Sequence, residues 1–294
     1  PTSTAGSTNY YVAQENTLTG CEGPKTTITV TVSGTPSAPT VSDVSYCKDD
    51  VSTALTATAS SGNTLVWYDA NQSELTSGAP TPSTVSVGTT TYYVAQQTAS
   101  GCEGSKSTIT VTVNALPVAP SSTSSIEYCK DATATALTAT ASGGHTLVWY
   151  GTDGTTVLSG APTPSTGSVG STNYYVAQQN TTTGCEGAKT TITVTVNALP
   201  VAPTATTTVD YCQDATATAL TATASSGHTL VWYGTDGTTV LSGAPVPPTS
   251  TAGSTNYYVA QENTLTGCEG PKTTITVTVS GTPSAPTVSD VSYC

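Results

Sequence analysis

Thr108-Ile109-Thr110-Val111-Thr112-Val113 alternates without a break: Ile109, Val111 and Val113 fall on one side of an extended chain, and the three threonines on the other. Period two is the mark of a half-buried β-strand. Threonine suits its wet face, because the branched carbon fits an extended backbone while the hydroxyl stays hydrated. Leu55, Ala57 and Ala59 stand against Thr56 and Thr58 in the same way. No window shows helical periodicity, and none approaches the ~20 apolar residues of a membrane helix.

Outward from this run the chain repeats itself. A Thr-Ile-Thr-Val-Thr-Val run follows every Gly-Cys-Glu-Gly turn, at Gly20, Gly101, Gly184 and Gly267. Tyr-Cys returns at Cys47, Cys129, Cys212 and Cys294, and Leu-Val-Trp-Tyr at Leu65, Leu147 and Leu230. Pro1 to Cys47 recurs residue for residue as Pro248 to Cys294. The chain therefore reads as a tandem array with a unit of about 82 residues. The expected division is 1–33 for the C-terminal part of one repeat, 41–113, 122–196 and 205–279 for three whole repeats, and 287–294 for the start of another. With no methionine anywhere, the sequence reads as a window onto a longer polypeptide.

In the middle repeat the patterning predicts strands at 125–128, 136–141, 146–150, 156–158, 173–178 and 190–196. Gly, Asp and Asn sit at the reversals, and a Pro/Ser/Thr-rich excursion follows the fourth strand. About seven short strands with one tryptophan on the third is the pattern of an immunoglobulin-like β-sandwich. The fold class expected is all-β: tandem immunoglobulin-like modules strung into an elongated filament. Trp67, Trp149 and Trp232 are the expected core aromatics, with one of Tyr174 and Tyr175 also facing inward, as a tyrosine corner. The inward positions that carry a disulfide in antibody domains read instead as Ala139 and Ala177.

Eight regularly placed cysteines in a chain with little other chemistry point to disulfides and an oxidising, extracytoplasmic compartment. Three pairings fit. The preferred one closes each unit on itself, Cys47 with Cys102, Cys129 with Cys185 and Cys212 with Cys268. It leaves Cys21 and Cys294 to partners elsewhere and removes ~4 kcal/mol of unfolded-state entropy per loop. Its difficulty is geometric, since in a standard sandwich the start of the second strand and the last hairpin turn lie at opposite ends. The second staples neighbours, Cys47 to Cys185 and Cys129 to Cys268. The third joins each turn cysteine to the next Tyr-Cys, as Cys102 to Cys129. The linkers at Asn114 to Pro120 and Asn197 to Pro203 carry two prolines in seven residues, which favours extended, semi-rigid chain.

Composition narrows the function. Hydrophobic residues are only 36%, with no phenylalanine, so a unit has little core of its own and burial needs a supplement. Acids outnumber bases 18 to 6, a net charge of −12, which disfavours nucleic acid as a partner. Catalytic residues, cofactors and metals are not expected. His145 and His228 align with Asn63 at one turn, and serine has no partnering histidine in each unit. Asp49, Asp50, Asp131, Asp214, Asp153 and Asp236 are read as turn formers rather than calcium ligands. Asn71 and Asn180 head N-glycosylation acceptor triplets of low specificity.

Tyr128-Cys129, Ala136 to Ala141, Leu147 to Tyr150, Thr172 to Ala177 and Gly184-Cys185-Glu186 together resemble the immunoglobulin-like repeats of very large secreted surface proteins. Those proteins belong to gliding and related Bacteroidota and leave the cell by the type IX route. The resemblance implies an extracellular or cell-surface adhesin or filament stalk, and no catalytic residue comes with it. The expected partners are further repeats of the same long chain, lateral copies in a fibre, and a surface or glycan ligand bound elsewhere in the full protein. Membrane insertion is not expected in this segment. Multivalent glycan-binding modules, or spacers of a secreted enzyme, are the competing readings.

Overall fold

A computed structural model describes residues 4–293. Every regular element among them is a strand. A hairpin of β1 (Gly6–Val12) and β2 (Thr26–Val32) comes first. Three copies of one seven-strand pattern follow. The first copy holds β3 (Thr40–Val41), β4 (Val44–Cys47), β5 (Ala57–Thr58), β6 (Thr64–Tyr68), β7 (Glu74–Leu75), β8 (Gly88–Gln97) and β9 (Ser107–Asn114). The second holds β10 (Ser121–Ser122), β11 (Ser125–Cys129), β12 (Ala139–Thr140), β13 (His145–Tyr150), β14 (Val157–Leu158), β15 (Gly170–Asn180) and β16 (Thr190–Asn197). The third holds β17 (Thr204–Ala205), β18 (Thr208–Cys212), β19 (Ala222–Thr223), β20 (His228–Tyr233), β21 (Val240–Leu241), β22 (Gly253–Asn263) and β23 (Thr273–Ser280).

Each copy is a small sandwich. A two-stranded sheet such as β3–β5 faces a five-stranded sheet of order β4-β9-β8-β6-β7, and the other copies repeat both. The alternation seen at Thr108 decides which side chains meet. Ile109 and Val111 of β9 pack with Val94 of β8, Trp67 of β6 and Leu55, while the threonines face out. Trp149 and Trp232 hold the same place in the other copies. Of the tyrosine pair, Tyr174 packs on the core, and Tyr175 turns the other way, over Gly154.

The strand expected at 136–141 pairs only at Ala139–Thr140. The Leu137 amide instead donates to the carbonyl of Pro162, 2.9 Å away, and Leu55 and Leu220 do the same to Pro80 and Pro245. The proline-rich excursion runs beside this strand as an acceptor, but prolines have no N–H to return, so no regular ladder forms. The strand at Ser125 extends by one residue to Cys129 and pairs in parallel with the last strand, Cys129 opposite Asn197. It fills the edge of the large sheet.

That parallel strand overturns the preferred cysteine pairing. Cys47 lies opposite Asn114, at the end of β9, whereas Cys102 precedes the start of the same strand. Eight residues of strand put ~25 Å between the two ends, against the 4.4–6.8 Å that a disulfide spans between Cα atoms. Cys47 is bonded instead to Cys185 and Cys129 to Cys268, each pair 5.5 Å apart at Cα. Cys102 and Cys212 are free thiols, as is Cys21. Cys294 lies outside the described residues.

By density of contacts the chain falls into two compact units. One holds everything up to Val118 with Gly143–Thr146 and Gln179–Ala188, and the other holds Ala119–Ser142, Leu147–Gln178 and everything from Lys189 on. The hairpin tip of the middle repeat thus groups with the repeat before it, to which Cys185 ties it. No helix of the described residues is long and apolar enough to cross a membrane.

Candidate functional site at the joints between repeats

The residues that recur most faithfully gather where one repeat meets the next. Cys47 leaves β4 beside the start of the linker, with the Lys48 amide donating to the Asn114 carbonyl at 2.9 Å. The following Asp49 adopts a left-handed backbone, φ 66°, and its amide donates to the Thr84 carbonyl. Asp131 and Asp214 do the same with Thr166 and Thr249. These aspartates hold the turn that presents the sulfur.

The other half of the joint is the Gly-Cys-Glu-Gly turn of the following repeat. Cys185 and Cys268 are almost fully buried there. A Cβ on Gly187 would stand 2.1 Å from the carbonyl oxygen of Pro117, and one on Gly104 would stand 2.1 Å from that of Pro36. At Gly270 the distance to the Pro200 oxygen is 2.4 Å. The linker proline therefore lies flat on the closing glycine of the turn, a contact only glycine permits. Staple and proline seat together anchor the linker at both ends.

A buried glutamine locks the arrangement from inside. Gln96, on β8, is wholly inaccessible to water. Its Oε1 accepts from the Ser60 amide at 2.7 Å, and its Nε2 donates to the linker carbonyl of Ser37 at 2.6 Å. Gln261 joins the Ser225 amide to the linker carbonyl of Val201, both at 2.7 Å. Gln178 accepts from the Ser142 amide in the middle repeat. Sequence reasoning missed these glutamines. The signal was their parity: Gln96 follows Tyr92 and Val94 at steps of two, so it shares their inward face.

Beside the turn, in the first and third repeats, the tyrosine that follows the core tryptophan meets the glutamate of Gly-Cys-Glu-Gly. The Tyr68 hydroxyl donates to Glu103 at 2.6 Å, and the Tyr233 hydroxyl donates to Glu269. Lys106, Lys189 and Lys272 lie 3.4–3.5 Å over the rings of Tyr68, Tyr150 and Tyr233. Lys189 and Lys272 also donate to the carbonyls of Gly154 and Gly237 at 2.7 Å. Burial, then the bonded carboxylate, pushes Tyr233 up to about 12 and Tyr68 well above the usual phenol range.

The remaining polar groups are spent on local structure. Asp153 takes hydrogen bonds from the Thr156 hydroxyl and the Thr155 and Thr156 amides, which holds its carboxyl well below the usual range. Asp236 is bound likewise by Thr238 and Thr239. His145 and His228 face backbone carbonyls two residues back. Among the described residues, no three His, Cys, Asp or Glu side chains converge as metal ligands would.

Residues 36–115, 117–198 and 200–281 each match the family described as Ig-like domain CHU_C associated. The chain belongs to this Ig-like family. No curated protein matches it. Among solved structures, it is similar to the I-band fragment I67–I69 of titin, with 13% identity, 84% of this chain and 97% of that chain covered, and a TM-score of 0.32. It is also similar to the fibronectin(III)-like modules of Clostridium thermocellum CbhA, at 14% identity, 54% and 91% coverage, and a TM-score of 0.31. A third is Drosophila N-cadherin EC1-4, at 12% identity, 94% and 84% coverage, and a TM-score of 0.22. The Ig-like repeats of this chain are thus tied in series by cystine.

Proposed function

We propose that these Ig-like repeats form a passive, load-bearing stalk of an extracellular or cell-surface filament or giant adhesin. The stalk serves adhesion or surface motility, performs no catalysis, and makes reach its product. The observation that carries this reading is the pair of disulfides, each running from one repeat into the next. A bridge inside a repeat strengthens that repeat alone; a bridge between repeats carries tension past the linker. The bridges also fit an oxidising compartment outside the cytoplasm. The resemblance to repeats of type IX-exported surface proteins of gliding and related Bacteroidota supports the same setting. Its partners are further repeats of its own long chain and neighbouring copies in a fibre.

Single-molecule stretching from the two ends tests it. With both bridges closed, the shortest covalent path from Cys47 to Cys268 crosses both disulfides and includes only the chain between Cys129 and Cys185, so the rest of the intervening chain bears no tension. Full extension after reduction is then longer by on the order of 500 Å than before it. Equal extension with and without reductant would remove the load-bearing role.

A further inference from the structure

We propose that the two staples turn the chain from Cys47 to Cys268 into a covalent ladder that survives backbone cleavage: an extracellular protease can cut it once, or in two different segments, without parting its ends. The inference deepens the load-bearing reading and rests on it.

The bonded cysteines alternate along the chain. In the order Cys47, Cys129, Cys185, Cys268, the first bonds to the third and the second to the fourth, at sequence separations of 138 and 139. The two closed loops therefore overlap over the whole stretch from Cys129 to Cys185. The four cysteines mark off three backbone segments, 47–129, 129–185 and 185–268. Cys47–Cys185 forms one bonded pair and Cys129–Cys268 the other, and each segment runs from a member of one pair to a member of the other. One intact segment is enough to hold the two pairs together. Bridges closed inside repeats would protect only the loop that each one spans, and any cut in a linker would sever the chain.

All three segments offer accessible cleavage points. Residues 77–79, 159–161 and 242–244, Ser-Gly-Ala each time, follow β7, β14 and β21 and are exposed. Gly78, Gly160 and Gly243 have nothing within 4 Å of a Cβ position. The linkers are open as well: Val118 and Val201 are 73% and 71% exposed, in chain that prolines hold extended. Exposed turns of small, polar residues are preferred sites of proteolytic nicking.

Hydrolysis adds water across a peptide bond and leaves a carboxylate and an ammonium as new ends. No electrons pass, so the cystines are untouched. Cys185 and Cys268 are 1% and 0% exposed, and burial disfavours the thiolate that a reductant must expel there. Parting the ends takes a cut in every segment, or a cut together with reduction.

The test inserts the recognition sequence of one site-specific protease after Gly78, Gly160 or Gly243 of the 294-residue chain, singly, in pairs and all three together. Thiols are alkylated before digestion, and the products are run under denaturing conditions with and without reductant, with intact mass as a second readout. With reductant, every cut is expected to release its separate fragments. Without it, each single and each paired insertion is expected to remain one covalent species, heavier by one water per cut. The triple insertion is expected to fall into two species, one joining residues 1–78 to 161–243 and the other joining 79–160 to 244–294. The wild-type chain, digested by a protease of broad specificity, is the check free of inserted sequence: its full-size band is expected to persist longer without reductant than with it.

Loss of both wild-type bands at one rate, or parting of the chain by any pair of cuts, would overturn the proposal. If each single cut parts the chain, neither staple has formed, and the joint reading fails with the ladder. If the triple-cut chain stays whole, the bonds lie inside repeats, with the same consequence. If the Gly78 cut is survived but the Gly243 cut alone parts the chain, only Cys47–Cys185 is closed; the joint reading then stands for that pair and the ladder alone falls.

Discussion

Gly187→Ala places one methyl group where the structure has least room for it. The added carbon would lie 2.1 Å from the Pro117 oxygen and 2.8 Å from its carbonyl carbon. A tolerable carbon–oxygen contact is about 3.3 Å, so turn and linker must part by more than 1 Å. Pro117 cannot rotate its own φ to yield. The neighbouring staple has its Cα atoms 5.5 Å apart, near the middle of the range a disulfide accepts, so it resists the same movement. Overpacking of this kind costs ~1–3 kcal/mol, which lowers the melting temperature by on the order of 10 °C in a domain of this size. The assay is thermal unfolding by circular dichroism, with Gly143→Ala as the control. Gly143 has open space around its Cβ position and no left-handed backbone, so alanine there is neutral or slightly stabilising. If the two variants melt together, the linker does not lie on the turn as described, and the joint is not rigid.

Gln96→Leu keeps the volume but strands the Ser60 amide and the Ser37 carbonyl; urea unfolding is expected to show a loss of ~2–4 kcal/mol, against near neutrality for the exposed Gln72→Leu. Tyr68 and Tyr233 have folded pKa values raised above the unfolded value of 10.0, so their contribution to stability is complete below pH 10. For Tyr233 it is lost as pH rises from 10 towards about 12, and for Tyr68 it persists further into alkali; tyrosinate absorbance at these sites is expected to appear together with unfolding rather than before it. Trp149→Ala empties the centre of the middle core and is expected to cost ~3–5 kcal/mol by denaturant titration, with Cys129–Cys268 still formed because its cysteines lie at the joint.

Much of the fold was legible because a single signal, alternation with period two, sets strand faces directly. Ile109, Val111, Trp67 and Tyr92 lie inward as the pattern requires. What alternation does not carry is which strand lies beside which. The strand at Ser125 looks like any other in sequence, yet its parallel place beside β16 puts Cys129 at the far end of the repeat from Cys185. The cysteine pairing therefore turned on one edge strand, and a preference for self-contained units led away from it. The joint was half visible. The recurrence of Gly-Cys-Glu-Gly marked the turn, but the need for its second glycine arises only when the linker proline of the preceding segment is laid against it.

Cystine mapping under non-reducing conditions, with thiols blocked before digestion, bears most directly on the account. Peptides holding Cys47 and Cys185 are expected to travel as one species, as are those holding Cys129 and Cys268. Recovery of Cys47 joined to Cys102, and Cys129 joined to Cys185, would mean that each repeat is closed on itself and that no covalent tie runs between neighbours.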